Sequence, residues 1–329
     1  MPSRRYRRHR FLPLWLLALA APAAAMEVCD LPPRYGLSQS AVAIVRNACD
    51  QHWLWFRPFI DRDGRLARQR VTEAENAALA DGQQIAWQRV AGYWRESGNL
   101  TRLSGTPGAA ACSQPPGARY ADADCRAFLL DTPWSATFVS WVMVRAGIAG
   151  FPASPRHMDY IRAAWRNAAG SPYRMADPAT EKPAPGDLLC YVRNQQRSFG
   201  YAGLAAALGG RGPVPPQSHC DIVVAANVGG DRTLYLIGGN VLNAVTLRML
   251  ELDRSGRLLP WDEDATPRDE DVDACSPASE DDCSFNRHDW SALLKLQAGD
   301  ATPVPEAVPG APETPAAPPA APVDGARVQ

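Results

Sequence analysis

Lysine is almost missing from this chain: Lys182 and Lys295 are the only two among 34 basic residues, the rest being arginine. That bias reads as composition, not function. No apolar run beyond residue 25 approaches the ~18 residues a membrane-spanning helix needs, so no later span is expected. The spacings that announce cofactors and metals are missing too. There is no G-x-G-x-x-G, no phosphate-binding loop, no C-x2-C or H-x3-H pair and no D-x-D-x-D-G calcium loop. The expectation is therefore a protein without cofactor or metal. No internal repeat is present.

The opening of the chain is the exception to its charge balance. Residues 1–25 contain five arginines and no acid, then the apolar stretch 11–20 and the small residues 21–25. This pattern reads as a secretory signal peptide. Ser3-Arg4-Arg5 is an incomplete twin-arginine motif, and no cysteine stands at the cleavage point, so ordinary Sec export to the periplasm or beyond is expected. Removal of the segment leaves 29 basic against 35 acidic side chains, a net charge of −6. That excess of acid argues against nucleic acid or an anionic membrane as partner.

An even number of cysteines in an exported chain favours disulfides. The eight form a nearest-neighbour set: Cys29 with Cys49, Cys112 with Cys125, Cys190 with Cys220, and Cys275 with Cys283. Each pair would close a loop or join strands expected to be neighbours.

Apolar spacing predicts a helix over 38–56, capped by Ser38, and a longer helical stretch over 66–96 broken near Asp81-Gly82. Together they make a helical N-terminal extension, 26–100, packed on the core. Gly, Pro, Ser and Ala dominate 97–131, which reads as a loop (101–131) pinned by Cys112 and Cys125. Thr132-Pro133 then reads as a cap and first helical residue, placing Ser135 in the first turn of a helix that stops at Gly147. From Pro185 the pattern changes to strands, at 188–192, 220–226, 233–237 and 244–249. One helix followed by consecutive antiparallel strands is an α+β layout. The long connection 194–218 suggests a groove wall or lid, the eleven acids of 262–289 a solvated loop, and the Ala/Pro-rich 301–329 a disordered tail.

Acyl transfer by a hydroxyl or thiol requires a base to take the proton, a group to orient the base, and donors for the oxyanion. Ser135, His219 and Asn240 are the candidates, in chain order, on a helix start, a strand and a strand end. Asp221 shares a strand face with His219 and is the alternative orienter. Cys220 and Cys190 rank below Ser135 as nucleophiles, because Cys220 alternates away from His219. His157 and Tyr160 could line the groove with Trp134, although a packing or capping role for His157 is the simpler expectation. Most of the Trp134, Phe138 and Trp141 stripe should be core.

Four blocks, Trp134-Ser135-Ala136-Thr137-Phe138-Val139-Ser140-Trp141, Pro185-Gly186-Asp187, Ser218-His219-Cys220-Asp221 and Gly238-Gly239-Asn240, resemble the CHAP and NlpC-type papain-like amidase superfamily over residues 128–250. The chain also resembles an uncharacterised exported bacterial branch, a domain of unknown function, with serine in place of the catalytic cysteine. The resemblance implies a papain-like α+β domain (128–296), a nucleophile helix followed by an antiparallel sheet, and cleavage of a peptidoglycan amide. Serine cannot form the family's thiolate–imidazolium pair, so catalysis would lean on general-base help. Two functions follow: a cell-wall amidase or peptidase using Ser135, His219 and Asn240, or a non-catalytic domain holding a cell-wall peptide or protein partner in the same groove.

Overall fold

The computed structural model describes residues 27–33, 36–193, 199–215, 217–259 and 284–297. The expected signal peptide, the Ala/Pro-rich tail, most of the acidic stretch, and Cys275 with Cys283 lie outside the described residues.

Seven α-helices are present among the described residues: α1 (Gln39–Leu54), α2 (Ala86–Glu96), α3 (Asn99–Arg102), α4 (Arg119–Asp131), α5 (Ser135–Arg145), α6 (His157–Arg166) and α7 (Gly200–Leu208). The strands are β1 (Phe59–Ile60), β2 (Leu66–Ala67), β3 (Tyr173–Ala176), β4 (Leu188–Arg193), β5 (Gln217–Ala226), β6 (Thr233–Val241), β7 (Ala244–Glu251) and β8 (Asp289–Leu296). They form one mixed sheet in the order β2-β1-β7-β6-β5-β4-β8-β3. Neighbours pair antiparallel except β1 with β7. The fold class is α+β.

The run β4 to β7 is sequential, as the strand pattern predicts, and β8 returns to pair with β4 and β3. Alternation along β5 divides the interior. Cys220, Ile222 and Val224 join the larger core shared with the helices, while Val223 joins a smaller cluster with Leu189, Tyr191, Leu236 and Trp290. Helix α5 lies against β5 and β6 and is flanked by α1 and α2. Trp134 stacks between Trp55 and Tyr93, at 5.9 and 5.6 Å between ring centres.

Helix α1 forms as expected, with Ser38 Oγ accepting from the Ala41 N–H at 3.1 Å. The helical stretch expected over 66–96 is helical only at α2. Leu66 and Ala67 pair with β1 instead, and the Asp81 carboxylate accepts from the Gln83 and Gln84 N–H groups, a local turn that competes with a helix. The N-terminal extension is consequently part of the core, giving two strands to the sheet and α1 and α2 to the helix layer. The loop expected up to residue 131 contains α4, whose Cys125, Phe128 and Leu129 face inward. Because α4 runs to Asp131, Thr132 is its C-cap, and Pro133 lies in a short link before α5 begins at Ser135. The connection 194–218 holds α7, whose start is bonded by Asp289, with Oδ2 accepting from the Phe199 N–H and Oδ1 from the Gly200 N–H.

Three disulfides, Cys29–Cys49, Cys112–Cys125 and Cys190–Cys220, follow the nearest-neighbour pairing. Among the described residues no helix is long and apolar enough to cross a membrane.

Candidate active site

Ser135 occupies the first position of α5, half-buried, where the first intrahelical bond is Phe138 N–H to the Trp134 carbonyl at 2.8 Å. The amides of Ser135, Ala136 and Thr137 thus have no carbonyl one turn back, and the helix dipole is positive there. This is the chemical setting in which a developing oxyanion is stabilised.

The side chain bonded to Ser135 is His157. Its Nε2 lies 2.7 Å from Ser135 Oγ. His157 begins α6, and the entry to that helix is tied to α5 by a serine clasp. Ser140 Oγ donates to the Ser154 carbonyl and accepts from the Ser154 N–H, both at 3.0 Å. Ser154 Oγ in turn donates to Asp159 Oδ2 at 2.6 Å and accepts from the Arg156 N–H. The clasp fixes where α6 starts relative to α5 and so carries His157 to Ser135. On the other side of the ring, Nδ1 is hydrogen-bonded to the Tyr160 hydroxyl, one helical turn along.

His219 is close but engaged elsewhere. Its ring centre is 4.9 Å from that of His157, and its Nε2 donates to Asp221 Oδ1 at 2.7 Å. Asp221 Oδ2 accepts from Arg248 Nε at 3.2 Å, and Arg248 also bonds Asn286 and lies over Trp290. No hydrogen bond joins Ser135 to His219 among the described residues.

Asn240 bonds to neither imidazole among the described residues. It sits at φ +55° within the register shift between Gly238 and Val241 of β6, a conformation asparagine tolerates. In the amide orientation that satisfies its neighbours, Oδ1 accepts from the Trp134 N–H at 3.2 Å and Nδ2 donates to Glu73 Oε2 at 2.8 Å. The same carboxylate accepts from Trp134 Nε1 at 2.8 Å. Asn240 therefore fixes the residue before Ser135, and Asp221, the alternative on the same strand as His219, holds that histidine. Of the residues expected to line the groove, Trp134 is a core residue, and His157 and Tyr160 are buried beside Ser135.

Burial dominates the electrostatics. It holds His157 well below the usual histidine value, helped by His219 and opposed by the Asp221 charge. His219 is lowered by the same burial against its bond to Asp221. Burial alone would raise Asp221, but His219 and Arg248 overcome it and hold the carboxyl well below its ordinary value. Tyr160 is raised well above the usual phenol range by burial and by Asp221, Asp159 and Tyr173. At neutral pH the site thus contains two neutral imidazoles, a carboxylate paired with arginine, and a phenol. Among the described residues no group of three or more His, Cys, Asp or Glu could hold a metal ion.

Residues 81–296 match the family model described as an uncharacterised protein conserved in bacteria, DUF2272. The chain belongs to that family. Neither a curated protein nor a solved structure matches it. Ser135, His157, Tyr160, His219, Asp221, Asn240 and Arg248 all fall inside the DUF2272 match, whereas Glu73 and α1 precede it.

Sequence spacing pointed to Ser135, His219 and Asp221 or Asn240, and did not find the Ser135–His157 pair, Glu73 or Arg248. The available signal was His157-x-x-Tyr160, two polar side chains on one helix face. An i, i+3 pair does not by itself say what lies across from it.

Proposed function

We propose that this DUF2272 protein is an exported serine-dependent amide hydrolase acting on the peptide part of the cell wall, with Ser135 as nucleophile and His157 as general base. The observation that carries the reading is the 2.7 Å approach of Ser135 Oγ to His157 Nε2 at the start of α5. A nucleophile and base within hydrogen-bond reach, beside unbonded helix-start amides, is the arrangement acyl transfer needs.

In the first step the Ser135 hydroxyl proton passes to His157 Nε2 as Oγ bonds to the acyl carbon. The carbon–nitrogen bond then breaks, and the amine leaves with the proton from His157. Water enters by the reverse route, giving its proton to His157, and the acid departs as Ser135 regains its proton. A low imidazole pKa keeps the base neutral and ready, and lets it return the proton easily. The papain-like frame, and with it the cell-wall substrate, rests on the resemblance of the four sequence blocks. Export is supported by the arginine-rich apolar leader, and the three disulfides suit an oxidising compartment.

A fluorophosphonate probe tests the nucleophile without presuming a substrate. Peptide mass spectrometry is expected to find the adduct on Ser135 in the mature protein and to find labelling lost in folded His157→Phe. Absence of the adduct, or undiminished labelling of that variant, would sink the reading. Digestion of purified peptidoglycan by the wild type, Ser135→Ala and Ser135→Cys then identifies the bond. Products from the cysteine variant alone would mean a retained groove with a retired nucleophile, and none from any variant would favour a binding domain.

A further inference from the structure

We infer that Tyr160 is the positioning residue of the site, its phenol oxygen accepting a hydrogen bond from the His157 Nδ1–H so that Nε2 presents its lone pair to Ser135. The inference rests on the Ser135–His157 reading and adds the member that reading lacks.

A neutral imidazole has one N–H and one lone pair, and only the form protonated on Nδ1 can take a proton at Nε2. Something must select that form. The sequence-based expectation had His219 as base with Asn240 or Asp221 to orient it, whereas Asn240 is bonded to Glu73 and Trp134, and Asp221 to His219 and Arg248. Neither the Asn240 amide nor the Asp221 carboxylate is on His157. The partner of Nδ1 is the Tyr160 hydroxyl. Both residues are buried, at 3 % and 1 % exposure, so the bond is made away from bulk solvent.

The surroundings fit a phenol in this role. Tyr160 is packed by Phe151 at 5.2 Å between ring centres and lies edge-on to His157 at 5.4 Å, which fixes the phenol ring. The charged and titratable groups acting on Tyr160 are Asp221, Asp159 and Tyr173, and those acting on His157 are His219, Asp221 and Arg193. Negative charge near the phenol opposes its ionisation, so Tyr160 keeps its O–H, and the direction of its bond to Nδ1 follows from Ser135, whose hydroxyl must donate to Nε2 for His157 to act as base. When His157 takes the serine proton, its positive charge faces that oxygen and the field of Asp221, while Tyr160 keeps its own proton. A phenol contributes less negative charge than a carboxylate, so the arrangement holds a base of low pKa.

Nitrogen-15 NMR of labelled protein tests this without relying on turnover. His157 in the wild type is expected to show a pyrrole-like Nδ1 and a pyridine-like Nε2, and Tyr160→Phe to lose that preference while His219 keeps its own. If hydrolysis is observed, kcat in Tyr160→Phe is expected to fall about tenfold to a hundredfold with KM little changed, and the acid limb of the pH profile to move. The reverse assignment in the wild type, or a His157 signature unchanged in Tyr160→Phe, overturns the inference even where the enzyme is active. Absence of a fluorophosphonate adduct on Ser135 in the wild type would instead overturn the reading beneath it, so the two failures are separable.

Discussion

Two adjacent glycines of β6 leave room for α5 on one face and for Asp221 on the other. A methyl on Gly239 would overlap the Phe138 side chain of α5, and one on Gly238 would overlap the Asp221 carboxylate and stand 2.7 Å from Val241 Cγ2. The two positions serve different partners because successive residues of β6 face opposite ways. Overpacking of this kind costs about 1–3 kcal/mol. Gly239→Ala is expected to lower the urea midpoint by displacing α5, and Gly238→Ala to lower it and also to shift the His219 ring signals through Asp221. Gly105, where an added methyl would meet nothing within 4 Å, supplies the control. Gly105→Ala should change stability by less than about 0.5 kcal/mol. Equal effects at all three positions would mean that helix–sheet contact does not set these residues.

At the scale of elements, the parts of the fold readable in the sequence were those whose signal is local. Ser38 and the apolar positions of α1 announce a helix, and the alternating runs of β4 to β7 announce strands, because caps and periodicity act within a few residues. What stayed hidden depends on distant partners. Helix α4 was obscured by the Gly- and Pro-rich composition before it, although Cys125, Phe128 and Leu129 have helical spacing. The pairing of β8 between β3 and β4, and the parallel β1, have no local signal at all. The site divides likewise. Ser135 was legible from a helix start and His219 with Asp221 from strand alternation, but the approach of His157 follows from the Ser140–Ser154 clasp between two helices. The Cys190–Cys220 disulfide, joining directly opposed residues of β4 and β5, was legible because both strands were. It closes a loop spanning 30 residues, and its loss should cost about 2–4 kcal/mol. The double variant Cys190→Ala/Cys220→Ala is expected to unfold at correspondingly lower urea. An unchanged midpoint, or a non-reducing peptide map without this linked pair, would contradict the role assigned to it.

Over the whole molecule, buried histidines make stability depend on pH in a definite direction. Burial lowers His52 to about 4 despite its hydrogen bond to the Pro58 carbonyl, and also lowers His157 and His219. A histidine whose folded pKa lies below its unfolded value, near 6.5, contributes full stability above that unfolded value and loses it as pH falls toward the folded one. For His52 the loss reaches roughly 3 kcal/mol at pH 4, at 1.36 kcal/mol per pH unit. Asp221, held below its ordinary value, acts in the same sense, its contribution being lost as acid protonates it. Glu73 and Asp187 oppose this, since burial raises both and their protonation in the folded state relieves a penalty. Three lowered imidazoles stand against these two raised carboxyls, and the imidazoles are expected to set the sign as pH falls below the unfolded histidine value. Urea midpoints are therefore expected to fall steadily from pH 7 to 5, and less steeply in His52→Gln, which keeps an amide donor for Pro58 but cannot titrate. A slope unchanged in His52→Gln, together with wild-type His157 ring signals that titrate near the ordinary histidine value, would show that the folded interior accommodates imidazolium and would remove the basis for a neutral His157 at the site.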